Sequence, residues 1–514
     1  MKIITSDKIF RNRIFPIVIL ILVFASRIPL ITSDGFKADG DESVVGLMAK
    51  EIVDHCNFKI YFWGQQYGLV TLETSVAALA FKVFGVNVYS LKLSMLFLWA
   101  LGCIFMYKAC DKLFGFRIAM IFTILFIAIP AWGLWSMKAR GGYITAFVFS
   151  ALVAWILTEI NGRIEKKPVG LWIAMGISIT IIYFAQRLWL LSLLPFIAFI
   201  CVRKRNISNL VFLIIASVFT ALVIHYLSMH ETVNYWKYDL KPGFYFPTDL
   251  ATIANRFHIH FEGAYYLSFI LYGGKINEII GWTWLIVFIL LLVTQIGRFV
   301  TRKFYPISHL LFLSACLSTF ALFNNNSSDF QFRYLLPMDA PLILCFVIEC
   351  HALFSLLPWK RVYVYAMLLF AGFNFAGLYQ LRNIVTEYSG EAPDRSFSVA
   401  MQEMINYLES RGIYYTFSQS SALLWQITFY SNTSILSRYL DATERNAGYT
   451  SQVTKAFKAK KPTCIIDYYN SGTINPNDDA SGINPTNIVS FGKQFKVYLY
   501  PDKKMLEHFH FDLK

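Results

Sequence analysis

Charged residues are scarce in this sequence. They make up 15% of its 514 residues, whereas hydrophobic residues make up 56%. Soluble globular chains carry roughly 25% charged residues, so this composition excludes an ordinary soluble protein. Apolar runs of about 20 residues, the length that crosses a hydrocarbon core of ~30 Å, recur over the first 380 positions. The sequence therefore predicts a polytopic α-helical membrane protein.

Paired cysteines are lacking as well. The eight cysteines include no CxxC pair and no spacing that indicates a disulfide framework. Cys56 and Cys464 fall in polar regions far apart in the chain. The other six lie in or beside apolar runs, where cysteine behaves as a small buried hydrophobic residue. We therefore expect a fold that does not depend on disulfides.

Basic residues outnumber acidic ones, and the formal net charge is +14. Most of the Lys and Arg residues lie in short segments between apolar runs, where they set the orientation of membrane spans. This distribution predicts membrane lipids as partners and does not indicate binding to nucleic acid.

The apolar runs define eleven candidate spans. With the N-terminus in the cytoplasm, every short loop on that side is rich in Lys or Arg, as the positive-inside rule requires. An odd number of spans then places the C-terminal tail outside the membrane, which in a bacterial inner membrane is the periplasmic side. The candidate spans are residues 13–32, 88–108, 117–135, 142–160, 169–186, 188–202, 207–227, 279–297, 305–323, 334–357 and 361–380.

Two long segments lie on the outer side of this arrangement, residues 33–87 and 228–278. In the first, apolar residues recur at helical spacing between Glu42 and Asp54 and again between Leu72 and Phe84, which predicts two amphipathic helices at the membrane surface. The second is rich in aromatic residues, as interfacial segments are. We expect residues 1–380 to form the membrane domain.

Residues 381–514 are polar enough for a separate soluble domain. The stretch "FSVAMQEMINYLESRG" predicts an amphipathic helix that ends at Gly412. The runs "IYYTFS", "TSILS", "TCIIDYY" and "FKVYLY" favour short strands, with helical stretches between them. These patterns predict a C-terminal α/β domain on the outer side.

Ionisable residues are nearly absent from the candidate spans, with Asp339 and Glu349 as the main exceptions. Polar groups instead gather at the outer ends of the spans, which favours a site at the outer face over a central permeation path. They are Asp39, Asp41, Glu42, Glu73, Lys138, Arg140, Arg187, His258, His260, Glu262 and Arg333.

Basic residues on the outer side run against the positive-inside rule and need another reason. Arg and Lys bind phosphate oxygens, and the backbone N–H groups of Gly141 and Gly142 could approach an anion closely. The alternative is that each basic residue pairs with an acid or reaches toward lipid headgroups. A carboxylate beside a phosphate site suits transfer of a sugar from a lipid phosphate to a hydroxyl, because the carboxylate takes the proton and the cations stabilise the leaving phosphate.

Four short motifs resemble those of the GT-C glycosyltransferases. They are "DGDES" after the first span, "YFWGQQYG" and "LET" in the same loop, and "FRYLLPM" at the head of a late span. The pattern is most similar to bacterial relatives of the protein O-mannosyltransferases and of the aminoarabinose transferases that act on lipid A. The Glu-Lys-Pro-Pro stretch usual in the lipid A branch is missing, so neither a lipid A acceptor nor an aminoarabinose donor is implied.

The resemblance implies an inverting transfer from a polyprenyl-phosphate sugar to a glycan, lipid or protein acceptor. Asp41 matches the catalytic base of the family, and Glu42 matches the second member of the acidic pair. Arg333 matches an arginine close to the lipid phosphate, with Arg140, Lys138 and Arg187 as further phosphate-binding candidates. Gln65, Tyr67 and Glu73 are candidates for contacting the acceptor or shaping the loop.

A divalent metal is possible by the same resemblance, since some relatives hold one near the site. Glu73 with His258 or His260 would be the ligands here. A His-x-His pair in an interfacial loop is more often a surface feature, so no cofactor is required by the sequence.

The acids of "DGDES" allow more than one interpretation. Asp39 can be a helix N-cap and Glu42, three residues later, can complete a capping box. That explanation leaves Asp41 without a structural task, so Asp41 is the preferred base and Asp39 the alternative. Two other functions stay open: a transporter or flippase of lipid-linked saccharides, and a glycan polymerase or ligase.

Overall fold

The computed structural model describes residues 10–33, 35–162, 168–204, 207–229, 231, 249–252, 274–301, 306–319, 332–356, 360–383, 396–440, 445–468, 487–511 and 513. The membrane domain is a bundle of helices, and its first outer loop contains two of them, α2 and α3. The helices are α1 Phe15–Ile31, α2 Gly40–His55, α3 Thr71–Phe84, α4 Val88–Phe114, α5 Phe116–Ala128, α6 Ala131–Trp135, α7 Tyr143–Gly162, α8 Val169–Gln186, α9 Trp189–Lys204, α10 Ile207–Ser228, α11 Gly274–Val300, α12 Pro306–Thr319, α13 Leu336–Ser355 and α14 Lys360–Gln380.

Each of the eleven predicted spans coincides with helical structure. Eight of the described helical segments are long and apolar enough to cross a membrane, and α5 and α12 are shorter apolar helices. The prediction of a multi-pass helical membrane protein is therefore confirmed, while the number of spans stays a prediction.

The third predicted span is interrupted near its outer end. Residue 129 precedes Pro130, and a residue before proline is disfavoured in the helical conformation, so α5 stops at Ala128 and the short α6 follows. Arg27 of α1, which is fully buried, donates to the carbonyl oxygens of Ile127 at 2.9 Å and Trp132 at 3.2 Å and to Ser136 Oγ at 3.0 Å. Arg27 thus satisfies backbone groups at the interruption and fixes the segment that leads to Lys138.

Two ion pairs hold helix ends together on the face of the bundle that lies away from α2. Arg11, next to the start of α1, pairs with Asp111 of α4 at 2.6 Å. Lys112 of α4 pairs with Glu159 of α7, also at 2.6 Å. These ends belong to the loops that the charge pattern predicts to be cytoplasmic, and the orientation itself stays a prediction.

Glu349 is the second intramembrane acid that the sequence singled out. Its Oε1 atom accepts from Ser308 Oγ at 2.5 Å and from Gln295 Nε2 at 3.1 Å, and it pairs with Arg298. These contacts join α11, α12 and α13. Glu349 therefore holds three helices together rather than lining a path across the membrane.

The first outer loop folds as the sequence predicts. Helices α2 and α3 coincide with the two amphipathic stretches, and Asp39 and Glu42 form the expected capping box at the start of α2. The apolar face of α2, including Val44, Val45 and Met48, is buried. Both predicted helices and the cap are confirmed.

The C-terminal domain, called the outer domain after the side that the sequence predicts for it, is a mixed sheet with helices. Strand β1 pairs in parallel with β2 and β3, whereas β5 is antiparallel to β3 and β4, which gives the order β2-β1-β3-β5-β4. The predicted helix and four strands are confirmed; the sequence missed β4, a four-residue strand. The elements are α15 Ser396–Ser410, β1 Tyr415–Ser418, α16 Leu423–Tyr430, β2 Leu436–Arg438, α17 Ala447–Lys458, β3 Thr463–Tyr468, β4 Ile488–Phe491, β5 Phe495–Leu499 and α18 Lys503–His508.

Helix α16 docks the outer domain on α2. Gln426 Nε2 donates to the carbonyl oxygen of Ala38 at 2.8 Å, and the N–H of Ala38 donates to the Tyr430 hydroxyl at 3.0 Å. A Cβ atom at Gly46 would lie only 2.4 Å from Cε2 of Phe429, so the missing side chain permits this close approach. The residues just before the acidic stretch are therefore fixed by both domains.

Candidate active site

Asp39 is held by its own helix and by a lysine. Its Oδ1 atom accepts from the N–H of Glu42 at 2.9 Å, and Oδ2 lies 3.2 Å from Lys138 Nζ. Burial alone would raise the pKa of the Asp39 carboxyl, but Lys138, Arg140 and the cap outweigh it and hold the pKa well below its usual range. Asp39 is therefore ionised but a poor proton acceptor.

Glu42 lies behind Asp39 and does not face open solvent. Its side chain is 2% exposed, with Oε2 accepting from the N–H of Asp39 at 3.0 Å and Oε1 lying 2.5 Å from Lys92 Nζ. Both carboxylate oxygens are thus engaged in structural contacts. These contacts position the start of α2, and a catalytic role of Glu42 stays a prediction.

Asp41 occupies a different environment. Its Oδ2 atom lies 2.9 Å from Arg140 Nη2, and its Oδ1 atom lies 2.9 Å from Arg445 Nη2. The Asp41 side chain keeps 24% of its surface exposed, close to the 23% of Asp39, so the two acids differ in their partners rather than in their exposure. Asp41 combines two guanidinium groups with access from outside, as a base beside a phosphate site requires.

Arg445 was not among the residues predicted from the sequence. It belongs to the outer domain and directly precedes Asn446, the N-cap of α17. Its guanidinium carbon lies 4.5 Å from the centre of the Phe62 ring in the first outer loop. An isolated arginine in a polar domain gives no sequence signal of this kind, because the docking of the two domains creates the contact.

Tyr67 and Arg333 lie at the same end of the bundle as Asp41. Burial raises the pKa of the Tyr67 hydroxyl, and the charges of Arg445, Asp41 and Arg333 also act on it. The Arg333 guanidinium carbon lies 5.8 Å from the Tyr143 ring and 5.3 Å from the Tyr334 ring. The structure thus brings together residues from the first outer loop, the start of α7, the start of α13 and the outer domain.

Glu73 has a different role from the predicted one. It is fully buried, and its Oε1 atom accepts from the N–H of Thr145 at 3.0 Å and from the Thr145 hydroxyl at 3.2 Å. Burial raises the pKa of Glu73 to about 7, against the effect of the N–H groups of Thr145, Gly142 and Ile144. Oε1 of the carboxyl group therefore caps α7, and the fully buried side chain does not reach the surface where an acceptor would bind.

The glycine pair is corrected with it. The Gly142 N–H faces Glu73, and a Cβ atom at Gly142 would lie 2.6 Å from the carbonyl oxygen of Leu69. Both glycines have positive φ, 52° for Gly141 and 84° for Gly142, a conformation that favours glycine. The pair serves a tight backbone contact with the first outer loop rather than a phosphate.

The remaining predicted residues are less closely connected. Arg187 is exposed at the turn between α8 and α9, and no hydrogen bond or ion pair links its side chain to the described part of the chain. Gln65 lies in a turn where its N–H donates to the carbonyl oxygen of Phe62 at 3.1 Å. His258, His260 and Glu262 lie outside the described residues. Within the described ranges, no group of three or more His, Cys, Asp or Glu side chains could hold a metal ion.

Solved structures with the same architecture exist. Crystal structures of ArnT from Cupriavidus metallidurans superpose with TM-scores of 0.60 in the apo state and 0.59 bound to undecaprenyl phosphate. Identity is 12%, and the match covers 95% of this chain and 97% and 98% of ArnT. The Archaeoglobus fulgidus oligosaccharyltransferase in complex with Zn and sulfate superposes with a TM-score of 0.51 and 12% identity, over 88% of this chain and 68% of that one.

The chain has the GT-C fold. No profile of a known protein family matches its sequence, and no curated protein matches it either. The fold is thus recognisable from the path of the helices, although the sequence has diverged far from that of the solved structures.

The GT-C bundle contains an apolar cavity of about 170 Å³ below the site. The cavity wall includes Phe147, four residues after Tyr143, and Pro337, four residues after Arg333. The cavity therefore begins close to the Tyr143 ring and the Arg333 guanidinium. Trp189, Leu311 and Leu344 line it further on. The lining is almost entirely apolar.

Proposed function

We propose that this protein is an inverting glycosyltransferase that moves a sugar from an undecaprenyl-phosphate donor to an acceptor hydroxyl. The observation that carries the proposal is the position of Asp41, partly exposed and flanked by Arg140 and Arg445 at 2.9 Å each. The GT-C fold supports it, since ArnT of that fold has been crystallised with undecaprenyl phosphate.

In the proposed reaction the acceptor hydroxyl attacks the anomeric carbon and gives its proton to Asp41. The bond between that carbon and the phosphate oxygen breaks, and the phosphate leaves with the electron pair. Attack from the face opposite the leaving group inverts the configuration. Asp41 is preferred over Asp39 because the Asp39 carboxylate is engaged as the cap of α2, whereas the Asp41 carboxylate contacts the two arginines assigned to the site.

The donor phosphate would be bound by cations that already surround Asp41. Arg140 and Arg333 are assigned to its oxygens, because guanidinium groups bind phosphate in a two-pronged geometry. Lys138, whose side chain is 6% exposed, contributes positive charge from behind Asp39. The polyprenyl chain would enter the apolar cavity between α7, α9, α12 and α13.

The finer assignments belong to the same proposal. The transferred sugar is a hexose or pentose, and the acceptor is a hydroxyl of a surface glycan, lipopolysaccharide or a protein. The reaction would take place at the periplasmic face of a bacterial inner membrane, with the N-terminus in the cytoplasm. The proposed steps are written without a metal, and Glu73, the predicted ligand, accepts from Thr145 through Oε1.

A deletion strain tests the function whatever the transferred sugar is. Mass spectrometry of its surface glycans, lipids and proteins should reveal one missing sugar mass, which the wild-type gene restores. Asp41→Asn should fail to restore it. Asp54→Asn is the matched control, since Asp54 lies on the same helix and pairs with Lys50 away from the site.

Restoration of the missing mass by Asp41→Asn at the wild-type level would contradict the assigned base. Unchanged glycans, lipids and proteins in the deletion strain would contradict the proposed function as a whole.

A further inference from the structure

We propose that Arg445, contributed by the outer domain, exchanges its anionic partner during the reaction, holding Asp41 before transfer and the leaving phosphate afterwards. The inference rests on the proposed function and deepens it. It makes the outer domain part of the catalytic site, in addition to any contact that the domain makes with the acceptor.

The position of Arg445 is set by its own domain. The residue directly precedes the N-cap of α17. Its side chain is 16% exposed, and its Nη2 atom lies 2.9 Å from Asp41 Oδ1. Its guanidinium carbon lies 4.5 Å from the centre of the Phe62 ring. Through Asp41 it shares a partner with Arg140, which lies 2.9 Å from the other carboxylate oxygen and is assigned to the donor phosphate.

The charges of the reactants give the reason for an exchange. Before transfer, Asp41 carries one negative charge and the donor phosphodiester carries one. After transfer, Asp41 has taken the proton and is neutral, while the phosphate has gained the charge. Negative charge therefore moves from Asp41 to the phosphate, and its total does not change.

An arginine that reaches both groups can follow this movement. Each carboxylate oxygen has a second lone pair, so Asp41 can accept the proton while Arg445 is still bound. Once Asp41 is neutral, the ion pair with Arg445 loses its attraction at the moment when the phosphate needs more positive charge. Stabilising charge that develops on the leaving group is the contribution that accelerates such a reaction.

Arg445 is not required merely to attach the outer domain. Docking also uses the hydrogen bonds of Ala38 with Gln426 and Tyr430, the packing of Phe429 on Gly46, and the 3.4 Å contact of the Tyr449 hydroxyl with Glu51. Removal of the Arg445 side chain leaves all of these in place. A purely structural role therefore predicts little change in ligand binding.

The test measures binding of undecaprenyl phosphate to the purified full-length protein in lipid nanodiscs. Asp41→Asn should tighten binding, because the phosphate no longer competes with a carboxylate for the arginines. In the Arg445→Gln background the gain from Asp41→Asn should shrink by about fivefold or more, the size expected for groups in direct contact. Arg445→Lys, which keeps the charge, should preserve part of the gain.

The rate of transfer gives a second readout. Arg445→Gln should lower the single-turnover rate by roughly 10²-fold, with a smaller effect on donor binding, because its contact with the phosphate strengthens only as charge develops. Arg411→Gln is the matched control: Arg411 is exposed in the outer domain, 5.3 Å from the Tyr407 ring.

Two results would overturn the exchange: an equal gain from Asp41→Asn with and without Arg445, or a transfer rate of Arg445→Gln equal to that of Arg411→Gln. Failure of the proposed function looks different, because the wild-type protein would then neither bind undecaprenyl phosphate nor transfer a sugar.

Discussion

Arg140 and Asp41 form an ion pair in which Arg140 Nη2 lies 2.9 Å from Asp41 Oδ2. Two positions earlier in both segments, Lys138 and Asp39 form a second pair at 3.2 Å. Residues 39–41 and residues 138–140 thus lie side by side, and each aspartate of the first stretch pairs with a basic residue of the second. The pairs nevertheless differ, because Asp39 is also occupied as a helix cap while Asp41 is not.

This difference predicts opposite effects on sugar transfer when each aspartate is replaced by asparagine. Asp41→Asn should lower sugar transfer by roughly 10²- to 10⁴-fold, the contribution typical of a general base. Asp39→Asn should keep most activity, because asparagine caps a helix about as well as aspartate. The measurement is release of undecaprenyl phosphate from the donor that the deletion strain identifies, with thermal unfolding of each purified variant as the control for folding.

A comparable loss of transfer in Asp39→Asn, with normal stability, would make Asp39 the base. Loss of transfer together with a lower unfolding temperature would instead show that the pair with Lys138 positions the site.

The capping box was predictable because its pattern is local: the residues that form it are three positions apart. The order of apolar runs predicts that Lys138 and Arg140 lie at the same end of the bundle as Asp39 and Asp41, and their ion pairs place them there. The Arg445 contact with Asp41 was not predictable, since it depends on how α16 packs on α2, and no short pattern encodes that packing.

Two contacts depend on the tertiary structure and have no pattern in the sequence. A glycine pair at a helix start suits an anion, and the sequence therefore predicts a phosphate at Gly141 and Gly142, but the Gly142 N–H faces the Glu73 carboxyl group of the same chain. An arginine near the end of an apolar run is typical of one that reaches toward the headgroups, but Arg27 bonds to the interruption between α5 and α6.

Removal of one partner of the Lys92–Glu42 ion pair should destabilise the folded protein strongly. Both side chains are nearly enclosed, 10% and 2% exposed, so Lys92→Met would leave a buried carboxylate without its partner. Breaking such a pair costs about 3–5 kcal/mol. We expect a marked fall in the thermal unfolding temperature of the detergent-solubilised protein.

Adding Glu42→Gln to Lys92→Met should recover much of the lost stability, because glutamine still completes the capping box and no buried charge is left. If the double variant is less stable than Lys92→Met alone, the carboxylate of Glu42 has a further task that these contacts do not explain.

Glu73 should make stability depend on pH. Its pKa in the folded protein is about 7, above the usual value of 4.5, so the folded state favours the protonated form. The stabilisation is fully present below pH 4.5 and is lost as the pH rises through about 7, because the unfolded state then releases the proton more readily. Between about pH 5 and pH 8, the unfolding temperature should fall in the wild type and fall less in Glu73→Gln.

Glu51→Gln provides the comparison for this series, since Glu51 lies in the same outer loop but is only partly buried. Parallel curves for the wild type and Glu73→Gln would mean that another group is responsible for the pH dependence.

The close approach of α2 and α16 should be sensitive to a single methyl group. In Gly46→Ala the new Cβ atom would lie 2.4 Å from Cε2 of Phe429, a ring that is 3% exposed and has little room to move. The outer domain must then shift, which separates Arg445 from Asp41 and should lower transfer while the helical bundle stays folded. Phe429→Leu in the same chain should restore part of the activity by making room for the methyl group.

Gly372→Ala is the control, because a Cβ atom there meets nothing within 4 Å. Equal transfer rates for Gly46→Ala and Gly372→Ala would show that the reaction does not depend on this docking.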